Sequence, residues 1–167
     1  MSAIASAHLI EKEKVQELKK MAGIEPEVKK SLFGKVKENI DPYWEWFQKN
    51  TSEVSTYEGS GFIYPTLVVY LQEKKGADLL DLEMKDLSNY LTEKKAYLMI
   101  LFTPEDAVGL APKLDPSSFS GEEMSKYYEE FNETEPPPPV QMVEAIAWLR
   151  DALLKVRAGQ VLIFQVV

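Results

Sequence analysis

The stretch AYLMILF, residues 96–102, decides the fold class. It is short and apolar almost throughout; two lysines precede it, and Thr103 and Pro104 follow it. Such a stretch is typical of a strand that is buried on both faces. A second one, VLIFQVV, ends the chain at 161–167, and SAIASAHLI at 2–10 alternates weakly between apolar and polar residues. We therefore predict a small sheet of about three strands. The sheet draws the two terminal strands together, next to 96–102 in the middle of the core.

Between these strands, apolar residues recur at helical spacing. Pro26 opens one such segment, in which four apolar residues follow at intervals of four: Val28, Leu32, Val36 and Ile40. Helices are predicted over 11–23, 26–40, 42–50, 62–72, 80–91, from 103, from 120 and over 139–158. The segment 51–61, TSEVSTYEGSG, is predicted to be a turn-rich loop. The fold class is thus α+β, a mostly helical single domain that spans residues 1–167.

Four consecutive prolines follow two glutamates in NETEPPPPV, residues 132–140. A proline run adopts an extended left-handed helix, which SH3-type domains bind as P-x-x-P. The acidic flank disfavours that use, because such ligands typically carry an arginine or lysine. One helix and one strand follow the run, which is too little for a separate core. We predict that 132–139 is a stiff acidic and proline-rich connector inside the domain.

The sequence contains no cysteine and a single histidine, His8. Disulfides, thiolate metal sites and cysteine nucleophiles are therefore excluded. A catalytic triad would need His8, and a metal site would have to combine carboxylates with at most one imidazole. A lone histidine in a strand-like apolar stretch is more typical of a satisfied core residue. We expect no catalytic residue, no metal and no cofactor, and the sequence favours a non-enzymatic protein.

The net charge of −8 is concentrated in one segment, 103–139, which holds two lysines and nine acidic residues. Proteins that bind nucleic acid present clustered lysine and arginine, so nucleic acid is not the expected partner. A basic protein partner fits better, and an acidic surface that serves solubility is the alternative. The candidate partner-binding residues are Glu122, Glu123, Glu129, Glu130, Glu133 and Glu135.

A second candidate site is aromatic. Four large rings fall within five residues of the segment PYWEWFQKN, 42–50, and they cannot all face one core. Tryptophan and tyrosine are enriched in ligand pockets and interfaces, although core filling is the simpler interpretation. The candidate pocket residues are Tyr43, Trp44, Trp46 and Tyr57.

Neither a membrane helix nor a secretory signal is evident. No apolar run approaches the roughly 20 residues that a membrane helix needs. The amino-terminal MSAIASAHLIEKEK lacks a basic segment, and Ser6 and His8 interrupt its apolar run. We expect a cytoplasmic protein that does not bind membranes.

The order and residue patterns of several segments resemble those of the YfbM-like family of uncharacterised bacterial proteins. The likeness lies in MSAIASAHLI at the start, TPEDAVGLAPKL, FSGEEMSKYYEEFNETE before a proline break, and AGQVLIFQVV at the end. It covers the first ten residues and about the last 65 residues of the chain. The resemblance implies an α+β fold in a bacterial protein and carries over no functional residue.

Two functional hypotheses follow. The first is a non-enzymatic bacterial binding protein that offers an acidic face to a basic protein, of which an immunity-type inhibitor is one example. The second is a small-molecule binding domain, or a weak hydrolase, with an aromatic pocket near Trp44 and Trp46.

Overall fold

The computed structural model describes residues 3–30 and 36–167, and for 27–30 and 36–40 it describes the backbone. The strands of this part of the chain are β1 (Ala5–Glu11), β2 (Glu27–Lys30), β3 (Val36–Ile40), β4 (Thr51–Thr56), β5 (Leu98–Phe102) and β6 (Gln160–Val166). The helices are α1 (Val15–Ala22), α2 (Pro42–Asn50), α3 (Ile63–Lys75), α4 (Lys85–Lys95), α5 (Pro104–Leu110), α6 (Gly121–Asn132) and α7 (Pro139–Leu153).

Four strands form an open antiparallel sheet in the order β4-β1-β6-β5. β1 and β6 pair along their whole length, from Ala5 opposite Val166 to Glu11 opposite Gln160. Beyond the strand ends, the backbones of Ile4 and Val167 exchange two hydrogen bonds of 2.8 and 2.9 Å. The α+β class and the central place of the two terminal strands are as predicted, and β5 pairs with β6.

The fourth strand, β4, occupies a segment that was predicted to be a loop. Its sequence TSEVST holds one apolar residue, and the strand lies at the sheet edge with most of its side chains exposed or half-buried. An edge strand needs apolar residues on one face at most, so the alternation that marks a half-buried strand is weak here. Threonine and valine nevertheless favour extended backbone.

Helices cover both faces of the sheet. On one face, α3, α5, α6 and α7 enclose a core cluster that includes Ala7, Phe102 and Phe164. On the other face, α1, α2 and α4 enclose a second cluster that includes Leu101 and Ile163. Burial from both sides explains why β5 and β6 read as continuous apolar runs rather than as alternating ones.

The predicted helix over 26–40 is wrong where the structure describes it. Glu27–Lys30 and Val36–Ile40 are antiparallel strands, with Glu27 opposite Ile40. A spacing of four residues fits the helical period and is also a multiple of the strand period of two, so the spacing alone does not separate the two. Branched valine and isoleucine favour the strand. Leu32 lies outside the described residues.

Smaller differences concern helix ends. α4 begins at Lys85, so Leu80 and Met84 of the predicted helix precede it, and α7 ends at Leu153 rather than near Ala158. The described helices include none that is long and apolar enough to cross a bilayer.

The segment 133–138 returns along α6 and delivers the chain to α7. Ser125 Oγ of α6 donates a hydrogen bond of 3.0 Å to the carbonyl oxygen of Pro137. At the start of α6, a Cβ on Gly121 would lie 2.3 Å from the carbonyl oxygen of Pro139. The prolines thus lie against α6 at two points, and Pro139 is the first residue of α7.

A candidate ligand-binding cleft

An open cleft of about 550 Å³ lies on the sheet face that α2 covers in part. It lies toward the end of the sheet where β1 begins and β6 ends, and α2 forms one wall. The residues that line it are Ile4, Ser6, His8, Trp44, Phe47, Gln48, Glu53, Thr56, Gln165 and Val167.

Three polar side chains lie together in the cleft. Ser6 and His8 alternate along β1, and Gln165 lies on the neighbouring strand, directly opposite Ser6. Gln165 Nε2 donates to Ser6 Oγ at 3.2 Å and lies 3.3 Å from His8 Nε2. His8 Nε2 lies 3.1 Å from Ser6 Oγ. These side chains take positions that are apolar farther along the same sheet face, where Ile10 and Ile163 enter the core.

His8 Nε2 lies within hydrogen-bond distance of both the Ser6 hydroxyl and the Gln165 amide nitrogen. Its role as donor or acceptor depends on the tautomer of the imidazole ring.

The carbonyl end of the Gln165 side chain has no partner. Gln165 is 5% exposed, and its Oε1 atom is buried without any hydrogen bond. A buried acceptor without a partner costs about 1–3 kcal/mol, and native structures contain few such groups. Gln165 lines the cleft, but this oxygen has almost no surface that is open to solvent.

Burial lowers the pKa of His8 below its ordinary value of 6.5, and the negative charge of Glu53 opposes that shift. The imidazole is therefore neutral at pH 7. Its ring packs edge-on against Phe47, with the centroids 5.0 Å apart. His8 is half-buried in the cleft, so the expectation of a satisfied core histidine is corrected.

A β-bulge brings two residues of β4 to the cleft. His8 pairs with Glu53, and Ser6 pairs with Thr56, because the register shifts between Ala7 and His8. Glu53 and Thr56 are three positions apart and would point to opposite faces of a regular strand. With the bulge, both line the cleft, and Thr56 Oγ1 donates to Glu53 Oε1 at 3.0 Å.

Of the aromatic residues predicted as a pocket, Tyr43 and Trp44 lie together, with ring centroids 5.1 Å apart, and Tyr57 lies apart from them. Trp44 is half-buried and lines the cleft, while Tyr43 is fully buried beneath it. Trp46 packs half-buried against the core of this sheet face. Tyr57 belongs to the opposite core, where its hydroxyl donates to the carbonyl oxygen of Gln141 at 3.1 Å.

Trp44 also borders a second cavity of about 420 Å³. There its indole ring stacks on Tyr97, with the ring centroids 5.7 Å apart. Lys95 forms an ion pair of 2.8 Å with Asp41, and its ammonium lies 4.3 Å from the centroid of the Tyr43 ring. Trp44 is therefore a shared wall between two cavities rather than a core residue alone.

The predicted acidic residues all lie at the surface. Glu122, Glu123, Glu129 and Glu130 project from α6, and Glu133 and Glu135 follow it; all six are exposed. The surface also carries cations, because Lys126 pairs with Glu130 at 3.7 Å. Glu123 Oε1 accepts a hydrogen bond of 2.9 Å from the Tyr70 hydroxyl. Burial is the main cause that raises the pKa of Tyr70, and Glu123 raises it further.

In the described part of the chain, no three or more histidine, aspartate or glutamate side chains form a group that could hold a metal ion. Ser6, Glu53 and Gln165 were not singled out from the sequence. The available signal was the pair of polar residues at alternate positions of β1, Ser6 and His8. It became informative only once Gln165 was placed beside them.

The comparisons with known proteins identify no relative. No family model matches the chain, and neither a curated protein nor a solved structure gives a significant match. The YfbM-like resemblance stays a prediction, and the function has to be inferred from the geometry of the cleft and the surface.

Proposed function

We propose that this protein binds a small molecule in the cleft formed by β1, β4, β6 and α2. The observation that carries the proposal is the group of three polar side chains, Ser6, His8 and Gln165, beside an aromatic wall in that cleft. A volume of about 550 Å³ lies within the range of about 300–1,000 Å³ that is typical of ligand pockets. Such pockets combine apolar walls with a few fixed polar groups. Trp44 and Phe47 supply the wall, and Ser6, His8 and Gln165 supply the polar groups.

The polar side chains of the cleft contact one another. Gln165 Nε2, Ser6 Oγ and His8 Nε2 lie within 3.3 Å of one another, and all three residues belong to the two central strands of the sheet, β1 and β6. A preformed site reduces the entropy that is lost when a ligand binds. This rigidity favours specific recognition of a small ligand.

A tryptophan that fills the mouth of the cleft tests the proposal. Thr56 is exposed at the cleft, whereas Ser52, also exposed on β4, pairs with Leu9, which packs against the opposite core. Wild type, T56W and S52W would be dialysed against a pooled extract of small molecules, and the retained compounds measured by mass spectrometry. We expect compounds that wild type and S52W retain and T56W loses. Equal retention by all three proteins would refute the proposal.

A weak hydrolase is a second use of the same residues. The distance of 3.1 Å between Ser6 Oγ and His8 Nε2 suits a nucleophile and its general base. A fluorophosphonate would then label Ser6 in wild type and leave S6A unlabelled. Absence of labelling on Ser6 at high reagent concentration would remove the hydrolase from consideration and leave the binding proposal intact.

The acidic face is the second candidate function, and it concerns a different surface. Its support is the exposure of all six glutamates together with Phe131, which is 53% exposed at the end of α6. An exposed aromatic ring within a charged rim is a common element of protein interfaces. The partner would be a basic protein, as in an immunity-type inhibitor.

Charge reversal tests the acidic face. In this variant, four glutamates are replaced by lysine: Glu129, Glu130, Glu133 and Glu135. Wild type captures a basic protein at low salt and releases it at high salt, because screening weakens charge attraction. The variant is expected to capture none. If it captured the same partner, the acidic face would be ruled out as its binding surface.

A further inference from the structure

The cleft has more hydrogen-bond acceptors than donors to offer a ligand. Glu53 lines it with an exposed carboxylate, which accepts one hydrogen bond from Thr56 and has further acceptor capacity. The amide nitrogen of Gln165 already contacts both Ser6 and His8, so its donors are in use. A ligand that complements these groups therefore brings hydrogen-bond donors.

The charges at the cleft favour a cation. Glu53 is the only charged residue among the described residues that line it, and neither lysine nor arginine lies among them. The negative charge of Glu53 opposes the effect of burial on the pKa of His8, so its field reaches the neighbouring imidazole. A positive ligand gains from this field, whereas an anion is repelled.

The walls of the cleft suit the remainder of such a ligand. Trp44 and Phe47 present aromatic rings, and tryptophan is the best aromatic partner for a cation. Ile4 and Val167 are 54% and 50% exposed at the rim. Two exposed aliphatic side chains next to a polar floor accommodate a ligand with one polar and one apolar end.

We propose that the ligand of the cleft is a small organic ammonium ion with an apolar group. Its N–H groups donate to the carboxylate of Glu53. Its apolar group lies against Trp44 and the aliphatic rim. This inference rests on the proposed function, since it names the ligand class of the same cleft.

Three probes of the same size separate the ligand classes. Phenethylammonium, 2-phenylethanol and phenylacetate share a ring and a two-carbon unit and differ in the polar group and its charge. Each is titrated into the protein, and the side-chain amide of Gln165 and the ring of His8 are followed by NMR. We expect phenethylammonium to bind about fivefold or more tightly than the alcohol, and phenylacetate to bind most weakly.

A matched pair of variants tests the carboxylate. E53Q removes the charge in the cleft, and E58Q removes one from an exposed residue outside it. We expect E53Q to weaken phenethylammonium about threefold to fivefold and to leave the alcohol unchanged. E58Q should leave the binding of all three probes unchanged.

The outcomes separate this inference from the proposed function. Equal binding of the ammonium and the alcohol, or preference for phenylacetate, would overturn the ligand class and leave the cleft as a binding site. If no probe binds while T56W still loses the pooled compounds that wild type retains, the ligand class is likewise overturned and the cleft stays a binding site. If no probe binds and T56W retains what wild type retains, both proposals fail. Nα-acetyl-lysine amide, which keeps its side-chain ammonium, is a fourth probe. If it binds more strongly than phenethylammonium, the cleft is assigned to a lysine side chain of a peptide, and the proposal of a small free amine is overturned.

Discussion

His8 on β1 lies directly opposite Glu53 on the edge strand β4, next to a β-bulge. Both side chains line the cleft. Burial lowers the pKa of the imidazole, and the carboxylate raises it by a smaller amount. An NMR titration of the His8 ring should therefore give a pKa below 6.5. In E53Q the pKa should fall further, because the opposing charge is gone, and in E58Q it should not change. A His8 pKa above 6.5, or a rise in E53Q, would contradict the assigned environment.

The same pKa shift predicts how stability depends on pH. The pKa of His8 is depressed in the folded protein, so below its ordinary value of 6.5 the unfolded chain binds a proton that the folded protein does not. The free energy of unfolding should therefore fall as the pH drops from 6.5 toward the folded pKa. The slope from this single group is at most about 1.4 kcal/mol per pH unit. Well above pH 6.5, where His8 is deprotonated in both the folded and the unfolded protein, the group contributes no pH dependence.

H8Q provides the comparison for that slope. Urea unfolding of wild type and H8Q at pH 7.5 and pH 5.5 separates His8 from the other titrating groups, which both proteins share. We expect wild type to lose more stability than H8Q between the two pH values. Equal losses would show that His8 titrates normally in the folded protein.

The ion pair between Asp41 and Lys95 is expected to be the most costly one to break. Lys95 is 5% exposed in its side chain, and Asp41 also caps α2 by accepting a hydrogen bond from the backbone amide of Tyr43. D41N retains a good helix cap but leaves the ammonium of Lys95 unpaired. We expect D41N to lower the free energy of unfolding by about 3 kcal/mol, as for other buried pairs from which one partner is removed.

A double variant and a surface control complete this experiment. D41N with Lys95→Met should regain most of the lost stability, because no unpaired charge stays buried. The pair of Glu45 and Lys49 has the same close contact, 2.7 Å, but both side chains are 69% exposed, so E45Q should cause no measurable change. Equal effects of D41N and E45Q in urea unfolding would contradict the burial of the first pair.

Two glycine substitutions test the packing of the proline connector. A Cβ at Gly121 would lie 2.3 Å from the carbonyl oxygen of Pro139, whereas a Cβ at Gly109 would meet nothing within 4 Å. G121A should destabilise the protein by about 1–3 kcal/mol through this overlap. G109A lies in α5 and should stabilise it by up to about 1 kcal/mol. Thermal unfolding measures both, and a neutral G121A would show that the connector does not press on α6.

Much of the fold could be predicted because its signals are local. Asp41 caps α2 ahead of Pro42, and Thr103 and Asp106 form a capping box at α5. Pro65 lies in the first turn of α3, where its missing amide proton does no harm. Caps and proline positions act within four residues, so a single sequence contains the information.

The errors arose where local patterns fit two structures. The apolar residues of 26–40 are spaced by four, which is compatible with a helix and with a strand. β4 is an edge strand with little apolar content, so its composition is that of a loop. Both segments become strands through pairing with a partner strand, and that pairing is not encoded in the local pattern.

The cleft could not be predicted because its residues come from distant parts of the chain. His8 and Gln165 contact each other across 157 positions, and Trp44 and Glu53 come from elements between them. Of the predicted pocket residues, Trp44 reaches the cleft, since it lies on the helix that covers this sheet face. The bulge that adds Glu53 depends on how β4 pairs with β1.

The most direct test of the account is an NMR titration of the Gln165 side-chain amide with a pool of small fragments of mixed charge. The account predicts that at least one fragment shifts the two Gln165 N–H resonances together with the His8 ring. It also predicts that T56W abolishes these shifts while S52W retains them. If no fragment shifts the Gln165 amide, or if the shifts persist in T56W, the cleft is not a ligand site and the central claim is wrong.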